Sequence, residues 1–320
     1  MATLARFSLL LVIILVTLSA YLRLDHSGIG CEPWPACYGN IGVPSDDAPD
    51  AATTYERLLE EASQPLSWAT PLHRLVASVL GLAVLGMALL ALHQRRNRLM
   101  AFSLLGLTVF LAWLGIYSEG LHSPAVVMGN LGGGFAMLGL LGWMVFGKPR
   151  EDNPANPRLH RVTAAALGLL VIQIAIGGLT SANFAASACQ TLPDCHGSWL
   201  PGADVFTALD LSRVHEIGST GMVLGGPERV AIHKLHRIVA LIAALALVFA
   251  GLTAYRAGRD LRIAGIAIVA LVAIEFSLGL AAVVSGLPIG IAVAHNWLAA
   301  LLLLATVKLL AESRAGCGTE

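Results

Sequence analysis

Polar residues in this chain do not alternate with apolar ones at the period of a strand; they collect between long apolar runs. The runs lie near residues 7–24, 70–92, 99–117, 124–146, 161–182, 233–255, 261–284 and 289–311. At a rise of about 1.5 Å per residue, each is long enough to cross a hydrocarbon layer about 30 Å thick, so the pattern predicts eight transmembrane helices. The first run resembles a secretion signal in position. No small-residue cleavage site follows it, because Tyr21-Leu22-Arg23-Leu24 comes next, and it is expected to remain as a span. The expected fold class is an all-α membrane protein.

Composition agrees with that pattern. Apolar residues make up 56% of the chain and charged ones only 12%, too little polar surface to cover a soluble domain of 320 residues. The few charges are also unevenly placed. Arg95, Arg96 and Arg98 lie between the second and third runs, Lys148, Arg150, Arg158 and Arg161 between the fourth and fifth, and Arg256, Arg259 and Arg262 between the sixth and seventh. The alternate loops are poor in basic residues, with Arg57 standing among acids in the segment from 26 to 69. Short cytoplasmic loops collect Lys and Arg, so both termini are expected in the cytoplasm. The expected location is the cell inner membrane, with multiple passes.

The segments on the opposite side repeat one another. Cys31, Cys37 and Gly39 form a Cys-x5-Cys-x-Gly pattern followed by Leu72-His73-Arg74-Leu75-Val76-Ala77. Cys189, Cys195 and Gly197 form it again, followed by Leu235-His236-Arg237-Ile238-Val239-Ala240. Such self-similarity indicates an internal duplication. It predicts two four-helix bundles, residues 1–150 and residues 151–320. Cys317 falls in the cytoplasmic tail, whereas the other four cysteines fall in loops expected to face the periplasm, where disulfides form. The expected bridges are Cys31–Cys37 and Cys189–Cys195. They either staple the loops or act as redox-active pairs; two thiols per loop are too few for a zinc site.

Histidines inside the spans are where the chemistry begins, since an ionisable group at membrane depth is costly and usually functional. His73 and His236 stand near the outer ends of the second and sixth spans, about one turn in, and His295 stands near the outer end of the eighth. Imidazoles from two helices of one bundle at matched depth can hold a haem iron from both faces, and His236 with His295 makes such a pair. A plain interhelical hydrogen bond is the alternative for each. Ala77 and Gly81, and Ala240 and Ala244, follow the histidines at helical spacing and admit either a macrocycle or a close helix. Arg74 and Arg237 are either clamps for haem propionates or anchors reaching to the membrane boundary. Asn130 stands where the duplication would place a histidine in the fourth span, so His73 lacks a matching partner, and His122 is the remaining nearby candidate. Gln173 and Glu275 each precede a glycine, Gly177 and Gly279, by four residues; an interhelical hydrogen bond or a proton relay is expected of them.

Together these motifs resemble the haem A synthase family of eight-helix membrane proteins, over nearly the whole length. The resemblance rests on Gly30-Cys31-Glu32-Pro33-Trp34-Pro35-Ala36-Cys37-Tyr38-Gly39, His73-Arg74, Gln173-x3-Gly177-Gly178, Ala188-Cys189, Ile232-His233-Lys234-Leu235-His236-Arg237 and Ala294-His295-Asn296. It implies that the second half holds haem b through His236 and His295, and that the first half takes haem O as substrate, with His73 as its candidate ligand. A ring methyl of haem O would become the formyl group of haem A, for cytochrome oxidase assembly. Haem O synthase and oxidase assembly factors are the partners implied, besides membrane lipid; no nucleic acid is expected. Two positions depart from the family pattern: Thr70 replaces a glutamate three residues before His73, and Asn130 replaces the axial histidine. Catalytic residues beyond His73 are not identified, and Glu56, Glu60 and Glu61 have no assigned place. A non-catalytic haem-binding or delivery protein of the same fold, and a b-type electron-transfer cytochrome, are the alternatives.

Overall fold

A computed structural model describes residues 1–25, 68–117, 124–147, 156–213 and 226–314. Nine helices occur among the described residues: α1 (Ala2–Asp25), α2 (Ala69–Gln94), α3 (Arg98–Tyr117), α4 (Pro124–Phe146), α5 (Pro157–Ala182), α6 (Val205–Leu209), α7 (Pro227–Ala257), α8 (Arg259–Val284) and α9 (Ile289–Glu312). All but the short α6 are long and apolar enough to cross a membrane. The protein is a multi-pass all-α membrane protein, as the apolar runs predict. Helices are the form that satisfies every backbone amide without water, and they leave large side chains such as Leu82, Ile116, Leu245 and Ile263 facing outward to lipid.

Local chemistry sets the helix ends. Asn156 caps α5 by accepting a hydrogen bond from the Leu159 amide at 3.0 Å, with Pro157 in the first turn where its missing N–H costs nothing. The largest departure from the apolar pattern is at α7. It starts at Pro227, six residues before the run that begins at 233, and its opening turns carry Glu228 and Arg229 at 7% and 2% exposure. Buried charges need partners. Glu228 accepts from the Arg213 guanidinium at 2.7 Å and from the Gly226 amide at 3.0 Å, and Arg229 donates to the Phe184 carbonyl. Hydropathy cannot register such turns. His236 consequently lies two and a half turns into its helix, deeper than the single turn expected, while His73 stands four residues into α2.

Each half closes a ring of four helices. In the first, α1 packs on α2 and α4, and α3 packs on α2 and α4; in the second, α7 packs on α5 and α8, and α9 packs on α8 and α5. The rings meet where α4 touches α5 and α9, and where α1 touches α9. One buried core runs across this seam, from Val12, Val84 and Leu138 to Leu247 and Leu303. Small residues bring the helices together. At the crossing of α7 and α8 the backbones nearly touch, and a Cβ on Gly265 would stand 2.4 Å from the Gly251 carbonyl oxygen.

The start of α1 and the end of α9 lie at one end of the bundle. The Asn97 amide reaches the Met1 sulfur at 3.8 Å, and His160 Nδ1 lies 3.0 Å from the Ser313 hydroxyl, so the start of α1 joins the α2–α3 turn and the end of α9 joins the start of α5. Arg314 stacks over Trp143 and Arg262 over Tyr255 at the same polar boundary.

Candidate functional site

A cavity of about 500 Å³ opens inside the second ring. That volume lies within the roughly 300–1,000 Å³ range of small-molecule and cofactor sites. Its walls come from α5 (Gln173, Gly177), α7 (His236, Ala240, Ala244), α8 (Glu275, Gly279) and α9 (His295, Asn296). Arg23 of α1 and Arg237 of α7 add guanidinium groups, and Leu192, Pro193 and Trp199 cover it from the cysteine loop. The two small residues following His236 thus face the cavity. After His73 the second small residue faces a neighbouring helix instead, where a Cβ on Gly81 would stand at ordinary contact distance, 3.8 Å, from the Thr108 methyl of α3.

His236 and His295 face each other across this space, with ring centroids 6.5 Å apart and planes at 82°. A metal bound at about 2 Å from one nitrogen of each ring would hold the centroids roughly 6 Å apart. The separation of the two imidazoles is compatible with a metal held between them. Each ring rests against a glycine of the adjoining helix. A Cβ on Gly177 would stand 3.0 Å from His236 Cε1, and one on Gly279 would stand 3.4 Å from His295 Cε1. One turn before each glycine is a polar side chain aimed at the same ring. Gln173 Nε2 lies 3.1 Å from His236 Nδ1 and 3.4 Å from its Nε2, and Glu275 Oε1 lies 3.3 Å from His295 Nδ1. Gln173 Oε1 and Glu275 Oε2 are buried without a partner. Two imidazoles, two glycine cradles and mostly apolar walls fit a flat metal macrocycle with two axial ligands.

Gln173 makes the expected interhelical hydrogen bond, and its partner is His236 itself; Glu275 faces His295 at ion-pair distance, with His295 Nδ1 buried and without a hydrogen bond. That pairing has a sequence signal, a polar residue four before a glycine on each of two spans, which does not name its target. His233 carries no such signal. Its Nδ1 lies 2.9 Å from the Ala185 carbonyl oxygen, tying the first turns of α7 to the end of α5. Asn183 does the same work between helices, donating to the carbonyls of Leu179 and Ala208.

The roof is a self-braced loop. Cys189 and Cys195 form the expected disulfide. His196 and Gly197 take positive φ values of 54° and 79°, and Cys195 and Ser198 exchange backbone bonds at 3.2 Å, the geometry of a two-residue hairpin turn that favours glycine. Arg237 holds this loop. Its guanidinium donates to the carbonyls of Thr191, Asp194 and Cys189 at 2.7, 2.8 and 2.6 Å. Beside a propionate clamp or a boundary anchor, the geometry gives Arg237 a third task, fastening the roof over the cavity. Replacing Arg237 by methionine keeps the stem and removes three charge-assisted bonds. We expect a loss of about 3 kcal/mol in stability, read as a lower Tm, and faster proteolysis within residues 189–200.

In the first half, His73 is half-buried and makes no hydrogen bond among the described residues. Arg74 beside it is exposed, and its carbonyl accepts from the Ser78 hydroxyl at 2.8 Å. Asn130 is half-buried in α4, a helix of the same ring that does not adjoin α2. Cys31, Cys37, Glu56, Glu60, Glu61, His122 and Cys317 lie outside the described residues.

Comparison with known proteins covers nearly the whole chain. The family model described as cytochrome oxidase assembly protein, COX15-CtaA, matches residues 2–307. A haem A synthase of Shewanella oneidensis is 34% identical over 316 residues, covering 96% of this chain and 94% of that protein. Haem A synthases of Granulibacter bethesdensis and Rhizorhabdus wittichii are 24% and 27% identical, covering 96% and 92% of this chain and 85% and 88% of their own lengths.

Proposed function

This chain belongs to the COX15-CtaA family of cytochrome oxidase assembly proteins, and from that premise we propose that it is a haem A synthase. Its substrate is haem O, whose ring methyl it oxidises to the formyl group of haem A. The observation that carries this reading is the pair His236 and His295, 6.5 Å apart across a cavity of cofactor size.

In this reading the second half holds haem b. His236 and His295 are its iron ligands, and Gly177 and Gly279 leave room for the rings. Arg23 and Arg237 stand on the wall where propionates need cations, Arg237 through the N–H groups its loop bonds leave over. The bound haem supplies one-electron redox chemistry. Leu192, Pro193 and Trp199 shield that site from water, and the apolar walls keep its dielectric low. The first half is the substrate side, with His73 as the candidate ligand. Both termini face the cytoplasm and the cysteine loops face the periplasm of the inner membrane. The contact of the start of α1 with the Arg95–Arg98 turn supports that orientation.

A second reading is favoured by Thr70 and Asn130, which leave His73 without the carboxylate and second imidazole of the family pattern. In it the protein binds or delivers haem without converting it. Expressing the protein with a haem O synthase in a host lacking haem A, then extracting haems for chromatography and mass, separates the two. A synthase yields haem A or its hydroxylated precursor, and His73→Ala is expected to cut that yield at least tenfold, a loss of roughly 1.4 kcal/mol or more in transition-state stabilisation. Haem b alone, indifferent to His73→Ala, would establish the non-catalytic reading.

A further inference from the structure

The two imidazoles of the cavity have unlike neighbours. His236 faces a carboxamide and His295 a carboxylate, although the two sites are otherwise built alike, with a polar side chain, three residues, then the glycine against which the ring rests. The inference that follows rests on these rings being the haem ligands.

A ligating imidazole gives one nitrogen to the metal and keeps its proton on the other. The group facing the protonated nitrogen must then accept. Glu275 is acceptor-only when ionised, and its Oε1 is 3.3 Å from His295 Nδ1. The Gln173 amide nitrogen sits 3.1 Å from His236 Nδ1 while its oxygen is buried without a donor. The two ends of an amide are interchangeable in placement, and exchanging them sets the oxygen against Nδ1–H. His295 Nε2 is then left for iron, and so is His236 Nε2 once the amide, which lies 3.1 Å from Nδ1 and 3.4 Å from Nε2, settles on Nδ1–H.

We propose that Gln173 and Glu275 are positioning residues that orient the two haem ligands and make them electronically unequal, His295 being the more electron-rich. A carboxylate accepts from Nδ1–H more strongly than a carboxamide does and raises the basicity of the ring it faces. A more basic axial ligand favours ferric over ferrous iron. Glu275 therefore holds the potential of the site low, and Gln173 keeps it from falling further. Neither side chain touches the iron; each acts through its histidine.

Redox titration of the purified full-length protein in nanodiscs, with electron paramagnetic resonance of the oxidised form, tests this. Glu275→Gln is expected to keep low-spin haem and to raise the ferrous-to-ferric ratio at a fixed potential about tenfold, equivalent to about 59 mV for one electron. Gln173→Glu is expected to move the ratio the other way. Gln173→Leu, which removes the acceptor, is expected to give a high-spin fraction as His236 loses its orientation. Side chains that only pack helices would change haem content or Tm while leaving the potential in place. Full low-spin haem with ratios within twofold of wild type in both Glu275→Gln and Gln173→Glu would overturn the proposal and leave the ligand assignment standing. If Glu275→Gln retains no haem, the sign of the Gln173→Glu shift decides alone. Wild-type protein with no low-spin haem, or with low-spin haem that survives His236→Ala and His295→Ala, would overturn the ligand assignment and this inference together.

Discussion

His236→Ala and His295→Ala are each expected to abolish stable haem binding in the second half, so that the purified variants lose the low-spin b-type spectrum. Removing a group that merely supports a metal ligand costs about 10–100-fold in affinity, and removing the ligand itself costs more. The loss should be specific. Both imidazoles project into a cavity and rest on glycines, so alanine leaves space where space already exists, and the one contact each variant loses is to Gln173 or Glu275. Circular dichroism should therefore report unchanged helicity. His73→Ala serves as the contrast, since His73 belongs to the other ring and should leave the second-half spectrum intact. Haem retained at wild-type level in either second-half variant would refute the bis-histidine site.

Gly265→Leu should be the most damaging single change to the fold. At this crossing the backbones of α7 and α8 are in contact. A Cβ on Gly265 would meet the Gly251 carbonyl at 2.4 Å and the Tyr255 amide nitrogen at 2.8 Å. These are backbone atoms, which cannot rotate aside as a side chain can. Overpacking usually costs about 1–3 kcal/mol, and a clash against two backbones belongs at or beyond the top of that range. The hairpin of α7 and α8 carries His236 and Glu275, so pushing it apart should also lower haem content. Yield of folded protein from detergent and its Tm read the effect. Gly139→Leu is the control, because a Cβ there has nothing within 4 Å, and it should be tolerated.

How much was legible in advance depended on what each residue's environment is. The spans were legible because lipid sets a minimum length for an apolar helix, and that length is written in consecutive residues. The pairing of Cys189 with Cys195 was legible because six residues of separation keep a bridge local. The start of α7 was not. Glu228 and Arg229 are charged, and only Arg213 and the Phe184 carbonyl, brought by other segments, make their burial tolerable. Arg237 could be read from sequence as a cation near a membrane boundary, but its three carbonyl partners lie more than forty positions away along the chain.

The order of apolar runs, the placement of arginines and the duplicated motifs together determine an eight-span, all-α membrane protein with its histidines at matched positions. Those properties are local or periodic, and each residue carries its share without knowing its neighbours in space. Which histidines meet is different in kind. That His236 and His295 stand 6.5 Å apart, that Gln173 and Glu275 aim at them, and that Arg237 fastens a disulfide loop over the cavity depend on how four helices close into a ring. Helix packing in lipid is set by small residues and interhelical polar contacts, and those choose their partners only after the helices are side by side.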